Sequence, residues 1–254
     1  MKGMKTGMAA LGVAFMCASI QCASAAQVET ASDAKITIDN GKAYLYNNQW
    51  GRGEVPNGTQ ETYFNTTRDY GWRWNWPSST TSVKGYPSVV SGWHWTAGYT
   101  QGSGLPVQLS AHKRVDTNVR YAFVNATGAY NAAYDLWFHT INNATWANAP
   151  TDEVMVWLDH SGGVSPAGSY QETVTLAGTQ WDLYVGHVSS WNVYSFVRKT
   201  PTTAAALNMR DFTDYLQGKK YLTPDKYLSS VEFGTEIYNG SGALRLLSRG
   251  VNVR

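Results

Sequence analysis

Hydrophobic and polar positions alternate in short runs along most of the chain, and these runs are rich in aromatic and β-branched residues. Gly, Asn, Asp and Pro separate the runs, as turns separate strands. Ten runs predict strands: ITID, AYLYNN, YAFVNATGAY, YDLWFHTI, EVMVWLDH, ETVTLAG, TQWDLYVGH, WNVYSFVRK, YLSSVEFGTEIYNG and LRLLSRGVNV. Many short strands at near-regular spacing indicate an all-β sandwich or barrel rather than a βαβ fold.

One segment departs from this pattern. Residues 204–218 (AAALNMRDFTDYLQG) place their larger apolar side chains near helical spacing and end at Gly218, a common helix stop. We predict that this segment is the only sizeable helix. We expect it to pack on the outside of the sandwich and to have a structural role.

The strand period of two assigns side chains to faces. One face of residues 152–160 carries Val154, Val156 and Leu158. The opposite face carries Glu153, Met155, Trp157 and Asp159. An aliphatic face belongs in the core, whereas an acid, a thioether and an indole together suit the floor of a cleft.

Two more predicted strands combine acids with aromatic residues on one face. Asp135 alternates in step with Trp137, and Glu236 with Tyr238. Carboxylates in an aromatic cleft are what glycosidic cleavage needs, because one protonates the leaving oxygen while the other attacks or activates water, and indoles stack on sugar rings. The alternative is that these acids are ordinary outward-facing strand residues.

The composition limits the classes of function. The chain has 254 residues, of which 15% are charged and 13% are aromatic. No linker-like tract or fixed repeat interrupts residues 33–254, so we predict one domain there. The aromatic content excludes a disordered chain. The scattered lysines and arginines do not form a basic stripe, so nucleic acid is not an expected partner.

The first 26 residues have the organisation of a secretory signal peptide. Lys2 and Lys5 precede an almost wholly apolar run over residues 8–20, and small residues around Ala25 offer a cleavage site. A membrane helix is the alternative, but the run is shorter than the roughly 18–20 residues that a span needs. We therefore predict a secreted, extracellular protein with no membrane association after cleavage.

Cleavage of the leader changes the chemistry of the mature chain. It removes two lysines and leaves as many basic as acidic residues, 18 of each. It also removes Cys17 and Cys22, the only cysteines, so no disulfide or cysteine nucleophile is expected. The residues before Cys22 could form a lipoprotein cleavage box, but the bulky Gln21 stands where a small residue is expected.

Other catalytic chemistries find little support. The chain has no GxSxG serine motif, and its five histidines lack metal-ligand spacing. The glycine-rich residues 101–104 lack the helix and lysine of a phosphate-binding loop. We expect no metal ion and no cofactor.

Two tryptophan-rich pieces alternate with a period of two. One is residues 72–76 (WRWNW) and the other is residues 93–95 (WHW). Indoles on one strand face can form a platform for sugar rings, and each can equally fill a core. The sequence leaves both readings open.

Several motifs follow one another in a fixed order. They are residues 47–51 (NNQWG), 133–138 (AYDLWF), 152–158 (DEVMVWL), 166–168 (PAG), 181–184 (WDLY) and 231–236 (VEFGTE). In this order they resemble glycoside hydrolase family 12 over about residues 33–254. The resemblance implies an all-β fold, a two-sheet β-jelly-roll sandwich with a concave substrate cleft and one short packed helix. It also implies a catalytic domain over residues 27–254.

The resemblance further implies an endo-β-1,4-glucanase that cleaves internal bonds of cellulose-type β-glucans by a retaining double displacement. Glu153 matches the nucleophile, Glu236 the general acid/base, and Asp135 the aspartate that supports the nucleophile. Together with the face assignments, the expected substrate-binding residues are Asn48, Trp50, Met155, Trp137 and Trp95.

A retaining mechanism makes two demands on the carboxyl groups. They should lie roughly 5–5.5 Å apart, because direct attack leaves no room for an intervening water. Glu153 should begin the cycle ionised and Glu236 protonated, each raising the pKa of the other, with Asp135 hydrogen-bonded to Glu153.

The chain also departs from the family. Many members carry a disulfide near the N-terminus, which this chain cannot form. No carbohydrate-binding module or linker accompanies the domain, so the expected partner is soluble or amorphous β-glucan rather than crystalline cellulose, and we expect a monomer. A xyloglucan-specific endoglucanase, a xylanase of the related family and a non-catalytic sugar-binding jelly roll remain open alternatives.

Overall fold

The computed structural model describes residues 26–254, apart from the side chain of Thr96. The predicted signal peptide, residues 1–26, lies outside the described residues except for its last position. In chain order the strands are β1 (Gln27–Glu29), β2 (Lys35–Ile38), β3 (Ala43–Tyr46), β4 (Thr59–Thr66), β5 (Asp69–Trp76), β6 (Ser88–His94), β7 (Gly98–Tyr99), β8 (Val107–Gln108), β9 (Val115–Val124), β10 (Tyr130–His139), β11 (Asp152–Ser161), β12 (Ser169–Leu176), β13 (Thr179–Val188), β14 (Trp191–Arg198), β15 (Ala204–Asn208), β16 (Tyr227–Gly234) and β17 (Gly240–Val253). The helix α1 spans Arg210–Gly218, and short 3-10 turns lie at Asp39–Gly41, Arg52–Glu54, Trp95–Ala97 and Leu109–Ala111.

The strands form two sheets. The first has six strands in the order β1-β4-β5-β17-β9-β15. The second has eleven, with the path β12-β13-β14-β11-β10-β16-β6-β3-β2 and the short strands β7 and β8 paired to β6 and β16. Neighbours are antiparallel except for β11 and β14, which run parallel. This architecture is the predicted two-sheet β-jelly roll. Among the described residues, no helix is both long and apolar enough to span a bilayer.

The main core lies between the sheets and receives alternate residues of the longer sheet. Val154, Val156 and Leu158 of β11 are fully buried in it, as are Leu136 and Phe138 of β10. Val154, Val156 and Leu158 form the aliphatic face that the alternation assigned to the core, so that prediction is confirmed. The opposite faces of the same two strands are left to form the cleft.

The tryptophans of residues 72–76 also belong to this core. Trp72, Trp74 and Trp76 lie on β5 of the six-stranded sheet and are at most 4% exposed. Trp72 Nε1 donates to Thr235 Oγ1 at 3.0 Å, and Trp76 Nε1 donates to Gln60 Oε1 at 3.2 Å. The stripe therefore fills the core and is not a sugar platform.

The helix is shorter than predicted. It begins at Arg210, and residues 204–208 instead form β15, which pairs with β9 at the edge of the six-stranded sheet. Pairing with β9 satisfies backbone groups that a longer helix would have satisfied within itself. Asn208 then marks the boundary, because its Oδ1 accepts from the backbone N–H of Arg210 at 3.3 Å.

The helix packs against the strands through its apolar stripe. Phe212 is fully buried and packs with ring centroids 5.1 Å from both Trp181 of β13 and Phe196 of β14. Leu216 is fully buried in the same core. The apolar stripe of α1 therefore covers the core face of strands β13 and β14.

The run over residues 121–130 is two strands rather than one. β9 ends at Val124 and β10 begins at Tyr130. Asn125 and Gly128 between them have positive φ values of 49° and 88°. At Gly128 an added Cβ would lie 2.7 Å from the backbone oxygen of Asn239, so the turn requires glycine there.

Candidate active site

A cleft of about 890 Å³ opens on the face of the eleven-stranded sheet that turns away from the core. All eight residues predicted for the site line it: Glu153, Glu236, Asp135, Asn48, Trp50, Met155, Trp137 and Trp95. The wall also includes five residues to which no motif gave a role: Tyr86, Thr81, Ser82, Val83 and Trp191.

The two acids on the cleft floor come from neighbouring strands. In the antiparallel pair β10–β11, Asp135 lies opposite Met155, and Trp137 lies opposite Glu153. Residues opposite or diagonal to one another in such a pair share a face. The carboxyl groups of Asp135 and Glu153 are hydrogen-bonded to each other, which raises the pKa of Asp135 and lowers that of Glu153. Asp135 is thus the donor and Glu153 the acceptor.

Trp191 supplies the second hydrogen bond to Glu153. Its Nε1 donates to Glu153 Oε2 at 2.7 Å. Trp191 begins β14, which runs parallel to β11, and its side chain alternates with the core residues Tyr194 and Phe196. The sequence shows that Trp191 alternates with these core residues. It does not show that the indole contacts Glu153, which lies 38 residues away in the chain.

Glu236 reaches the cleft just beyond the end of β16. The strand ends at Gly234, where a Cβ would lie 2.6 Å from the Tyr86 ring, and the extended chain continues to a bridge at Ile237. Asn131 of β10 holds Glu236 at two points. Its Nδ2 donates to the Glu236 carboxylate, and its Oδ1 accepts from the Glu236 backbone N–H at 2.8 Å.

Burial and mutual repulsion raise the pKa values of these acids. Burial raises the pKa of Glu236 to about 8, the charge of Glu153 adds to the rise, and hydrogen bonds from Asn131 and Tyr238 oppose it. Burial also raises the pKa of Glu153, against the bonds from Trp191 and Asp135. Burial first, and the charge of Glu153 next, also raise the pKa of Asp135.

These environments distribute protons unequally. Glu153 accepts two hydrogen bonds that favour its ionised form, whereas Asp135 is a donor and therefore holds its proton. A pKa of about 8 leaves Glu236 protonated at neutral pH. The cleft can thus present an ionised carboxylate and a carboxylic acid at the same time, as two-step glycoside cleavage requires.

A further acid lies buried beside the floor. Glu232 of β16 is opposite Asp135 in the strand register and is fully buried. Its Oε1 accepts from Ser230 Oγ at 3.1 Å and bonds His94 Nδ1 at 2.8 Å, and its Oε2 accepts from Ser88 Oγ at 3.0 Å. Glu232 and Glu236 shared one face by alternation, and the structure separates them into an interior acid and a cleft acid.

Indoles form one side of the cleft. The rings of Trp95, Trp137 and Trp191 pack edge to face, with centroids 4.9 Å, 5.4 Å and 6.4 Å apart. Trp93, by contrast, is fully buried against the His139 ring beneath them. The WHW piece is therefore divided between cleft and core. At the cleft end near Asn48, the Trp50 indole is 66% exposed.

Within residues 26–254 no group of three or more His, Cys, Asp and Glu side chains could hold a metal ion.

Known proteins are similar to this chain in sequence and in fold. Residues 42–253 match the model of glycosyl hydrolase family 12. Endoglucanase S of Pectobacterium parmentieri is 50% identical over 226 residues, which cover 87% of this chain and 85% of that protein. A xyloglucan-specific endo-β-1,4-glucanase A of Emericella nidulans is 31% identical over 219 residues, or 84% of this chain and 85% of that one.

A solved structure gives the same result. The native family 12 xyloglucanase from Bacillus licheniformis superposes with a TM-score of 0.87 at 47% identity, covering 90% of this chain and 100% of the other. The protein therefore belongs to glycoside hydrolase family 12.

Proposed function

We propose that this glycoside hydrolase is an endo-β-1,4-glucanase that cleaves internal bonds of β-glucan chains with retention of configuration. The observation that carries the proposal is the pair of cleft glutamates in different environments: Glu153 accepts from Trp191 and Asp135, whereas Glu236 has its pKa raised to about 8. The endoglucanase at 50% identity supports the same activity.

In the first proposed step, Glu236 gives its proton to the glycosidic oxygen while the Glu153 carboxylate attacks the anomeric carbon. The leaving chain departs with that proton, and the sugar becomes an ester of Glu153. In the second step, Glu236 takes a proton from water, whose oxygen attacks the same carbon and releases Glu153. Two inversions give net retention.

Three neighbours would support this cycle without reacting. Trp191 and Asp135 stabilise the ionised Glu153 through hydrogen bonds. Asn131 would hold Glu236 through the strand end, so that its carboxyl group keeps one position in both protonation states. Asn48 and Trp50 would bind sugars at one end of the cleft, the indole by stacking.

The decisive experiment replaces each glutamate by its amide. We expect Glu153→Gln and Glu236→Gln each to lower hydrolysis of carboxymethyl-cellulose by about 10³-fold or more, because each step needs both carboxyl groups. Reducing-end release measures the activity, and circular dichroism verifies the fold. Glu61→Gln on the six-stranded sheet is the matched control and should retain full activity. Full activity in either cleft variant would sink the assignment, and binding without product release by the unaltered protein would indicate a lectin.

Xyloglucan is the second candidate substrate, because a family 12 xyloglucanase is 47% identical. Parallel assays on carboxymethyl-cellulose, mixed-linkage glucan, xyloglucan and xylan measure the preference. We expect activity on the β-glucans and little on xylan. Detection of the product anomer by NMR should give retention, and inversion would exclude the double displacement.

We also propose that the protein is exported with residues 1–26 as its leader. The charged start, the apolar run and the small residues around Ala25 support this. Mass spectrometry of the protein recovered from culture medium should place the mature N-terminus after Ala25 or Ala26.

A further inference from the structure

The cleft wall beside Trp50 is built from a loop that hides a charged side chain. Thr81, Ser82 and Val83 line the cleft together with Trp50. The next residue, Lys84, does not line the cleft, and its side chain is 0% exposed. A buried ammonium group costs free energy unless hydrogen bonds and opposite charge compensate it, so its surroundings require an explanation.

The ammonium of Lys84 donates hydrogen bonds to three atoms of the loop over residues 80–82. Its Nζ donates to Thr80 Oγ1 at 2.7 Å, to the backbone oxygen of Ser82 at 2.6 Å and to Ser82 Oγ at 2.7 Å. Three donors are what a lysine side chain has. Glu54 lies across from them, with Oε2 at 3.4 Å from Nζ, and it also accepts a short hydrogen bond from Ser82 Oγ.

Glu54 connects this group to the Trp50 segment. It belongs to the 3-10 turn Arg52–Glu54, which begins two residues after Trp50. The Trp50 backbone N–H donates to Asn48 Oδ1 at 3.2 Å, so the same short segment carries both predicted sugar-binding residues. The Lys84 ammonium thus lies between the loop that walls the cleft and the segment that presents the indole.

The backbone of Lys84 joins the same parts of the cleft. Its oxygen accepts from the Gly51 N–H at 3.0 Å, and its N–H donates to the Ile237 oxygen at 2.7 Å, next to Glu236. The approach is so close that a Cβ on Gly51 would lie 2.1 Å from the Val83 oxygen. The side chain and the backbone of one residue therefore fix the Trp50 end of the cleft relative to Glu236.

We propose that Lys84 is a positioning residue for substrate binding: its buried ammonium holds the wall of residues 80–83 against the Trp50 segment and so shapes the end of the cleft that receives a long, uncharged glucan chain. The inference rests on the proposed function, because it assigns to Trp50 a role in binding sugar. The proposal gives a role in substrate binding to Lys84, which would not itself touch the glucan.

The experiment compares Lys84→Met with the unaltered protein on cello-oligosaccharides of increasing length. Methionine keeps the length of the side chain and removes the charge. We expect KM to rise about fivefold or more for chains long enough to reach Trp50, with kcat within about twofold and no change for the shortest chain cleaved. A loss that is uniform across chain lengths would mean a merely structural role and would overturn the proposal.

Two further variants keep the test decisive. Trp50→Ala should reproduce the length-dependent rise in KM, and Lys84→Met should add less than about twofold to it in the double variant, because both act on one binding surface. Full additivity would contradict the proposal. Lys226→Met is the matched control: this mostly buried lysine pairs with Asp152 at 2.8 Å, and its loss should lower stability without any dependence on chain length.

If Lys84→Met does not fold, Thr80→Val removes one acceptor and leaves the ammonium in place. Thr80→Val should raise KM for the long oligosaccharides in the same way but by a smaller factor. A KM that does not depend on chain length would overturn the proposal. Failure of the proposed function would look different, because the unaltered protein would then cleave no β-glucan. Normal hydrolysis with a length-dependent Trp50→Ala and an unaffected Lys84→Met would refute this inference alone.

Discussion

Two groups of tryptophans in this protein have opposite surroundings. Trp72, Trp74 and Trp76 alternate along β5 and fill the core between the sheets. Trp95, Trp137 and Trp191 come from three different segments and meet on the wall of the cleft. Alternation shows which side chains share a face of a strand. Whether that face packs against the other sheet or lines the cleft decides the role of the side chains.

The indole N–H groups show the difference chemically. In the core, Trp72 and Trp76 donate to the neutral side chains Thr235 and Gln60. In the cleft, Trp191 donates to the carboxylate of Glu153. A hydrogen bond to an ionised acceptor is roughly twice as strong as a neutral one and biases the protonation of the acceptor. Core tryptophans should therefore govern stability, and cleft tryptophans should govern chemistry.

The largest expected effect is on the core side. Trp72→Ala should lower the free energy of unfolding by about 3–5 kcal/mol, because it leaves a cavity and orphans the Thr235 hydroxyl. Urea denaturation measures the change. Activity per folded molecule at low temperature should stay within about twofold, because Trp72 bonds Thr235 whereas Asn131 holds the Glu236 carboxyl group. A large loss of kcat in folded Trp72→Ala would break the separation between the two groups.

Proton linkage should respond to the cleft acids and not to the core tryptophans of β5. Burial keeps Glu236 protonated up to a pKa of about 8 in the folded protein, whereas the unfolded chain releases this proton near pH 4.5. The folded state therefore binds more protons between these values, and the free energy of unfolding falls as pH rises across them. Glu236→Gln should reduce that slope by up to about 1.4 kcal/mol per pH unit.

Unfolding in urea at several pH values from 5 to 8 measures this slope. Trp72→Phe is the control and should leave the slope unchanged while lowering stability at every pH. An identical slope in Glu236→Gln would mean that this carboxyl group is ionised in the folded protein at neutral pH. In activity, the same pKa predicts that hydrolysis declines as pH rises through about 8, because the general acid is then deprotonated.

The smallest expected effect is on the cleft tryptophan. Trp191→Phe keeps an aromatic ring and removes the N–H that Glu153 accepts, so we expect kcat to fall about tenfold, which corresponds to roughly 1.4 kcal/mol. The acidic limb of the pH–rate profile should move to higher pH, because the ionised Glu153 loses a donor. Trp93→Phe, in the core beneath, is the comparison and should move neither quantity. An unchanged acidic limb in Trp191→Phe would remove the proposed distinction.

Much of the fold and part of the site were predictable from local pattern. Alternation in β11 assigned Val154 and Val156 to the core, and alternation in β10 and β11 placed Asp135 and Glu153 on faces suited to a cleft. The valines lie in the core between the sheets and both acids line the cleft. Such assignments succeed because side chains alternate strictly in an extended strand, and an aliphatic face has only one stable place to go.

The errors occurred where a distant partner decided the outcome. Residues 204–208 have helix-favouring alanines, but they form a strand because they pair with the open edge of β9. Local pattern equally gave no reason for Trp191 to meet Glu153, or for the Lys84 ammonium to lie beneath the cleft wall with Glu54. These contacts join segments far apart in sequence, where periodicity carries no information.

The sequence by itself determined the strand faces, the family resemblance and the set of acids available for catalysis, since these follow from residue type and spacing. Only the tertiary structure decided which contacts hold one acid at the cleft and the other in the interior. Glu236 and Glu232 differ by two strand repeats, yet one meets Asn131 at the strand end and the other meets His94 and two serines. Burial and hydrogen-bond partners set the pKa of a carboxyl group, and both are properties of the assembled sheets.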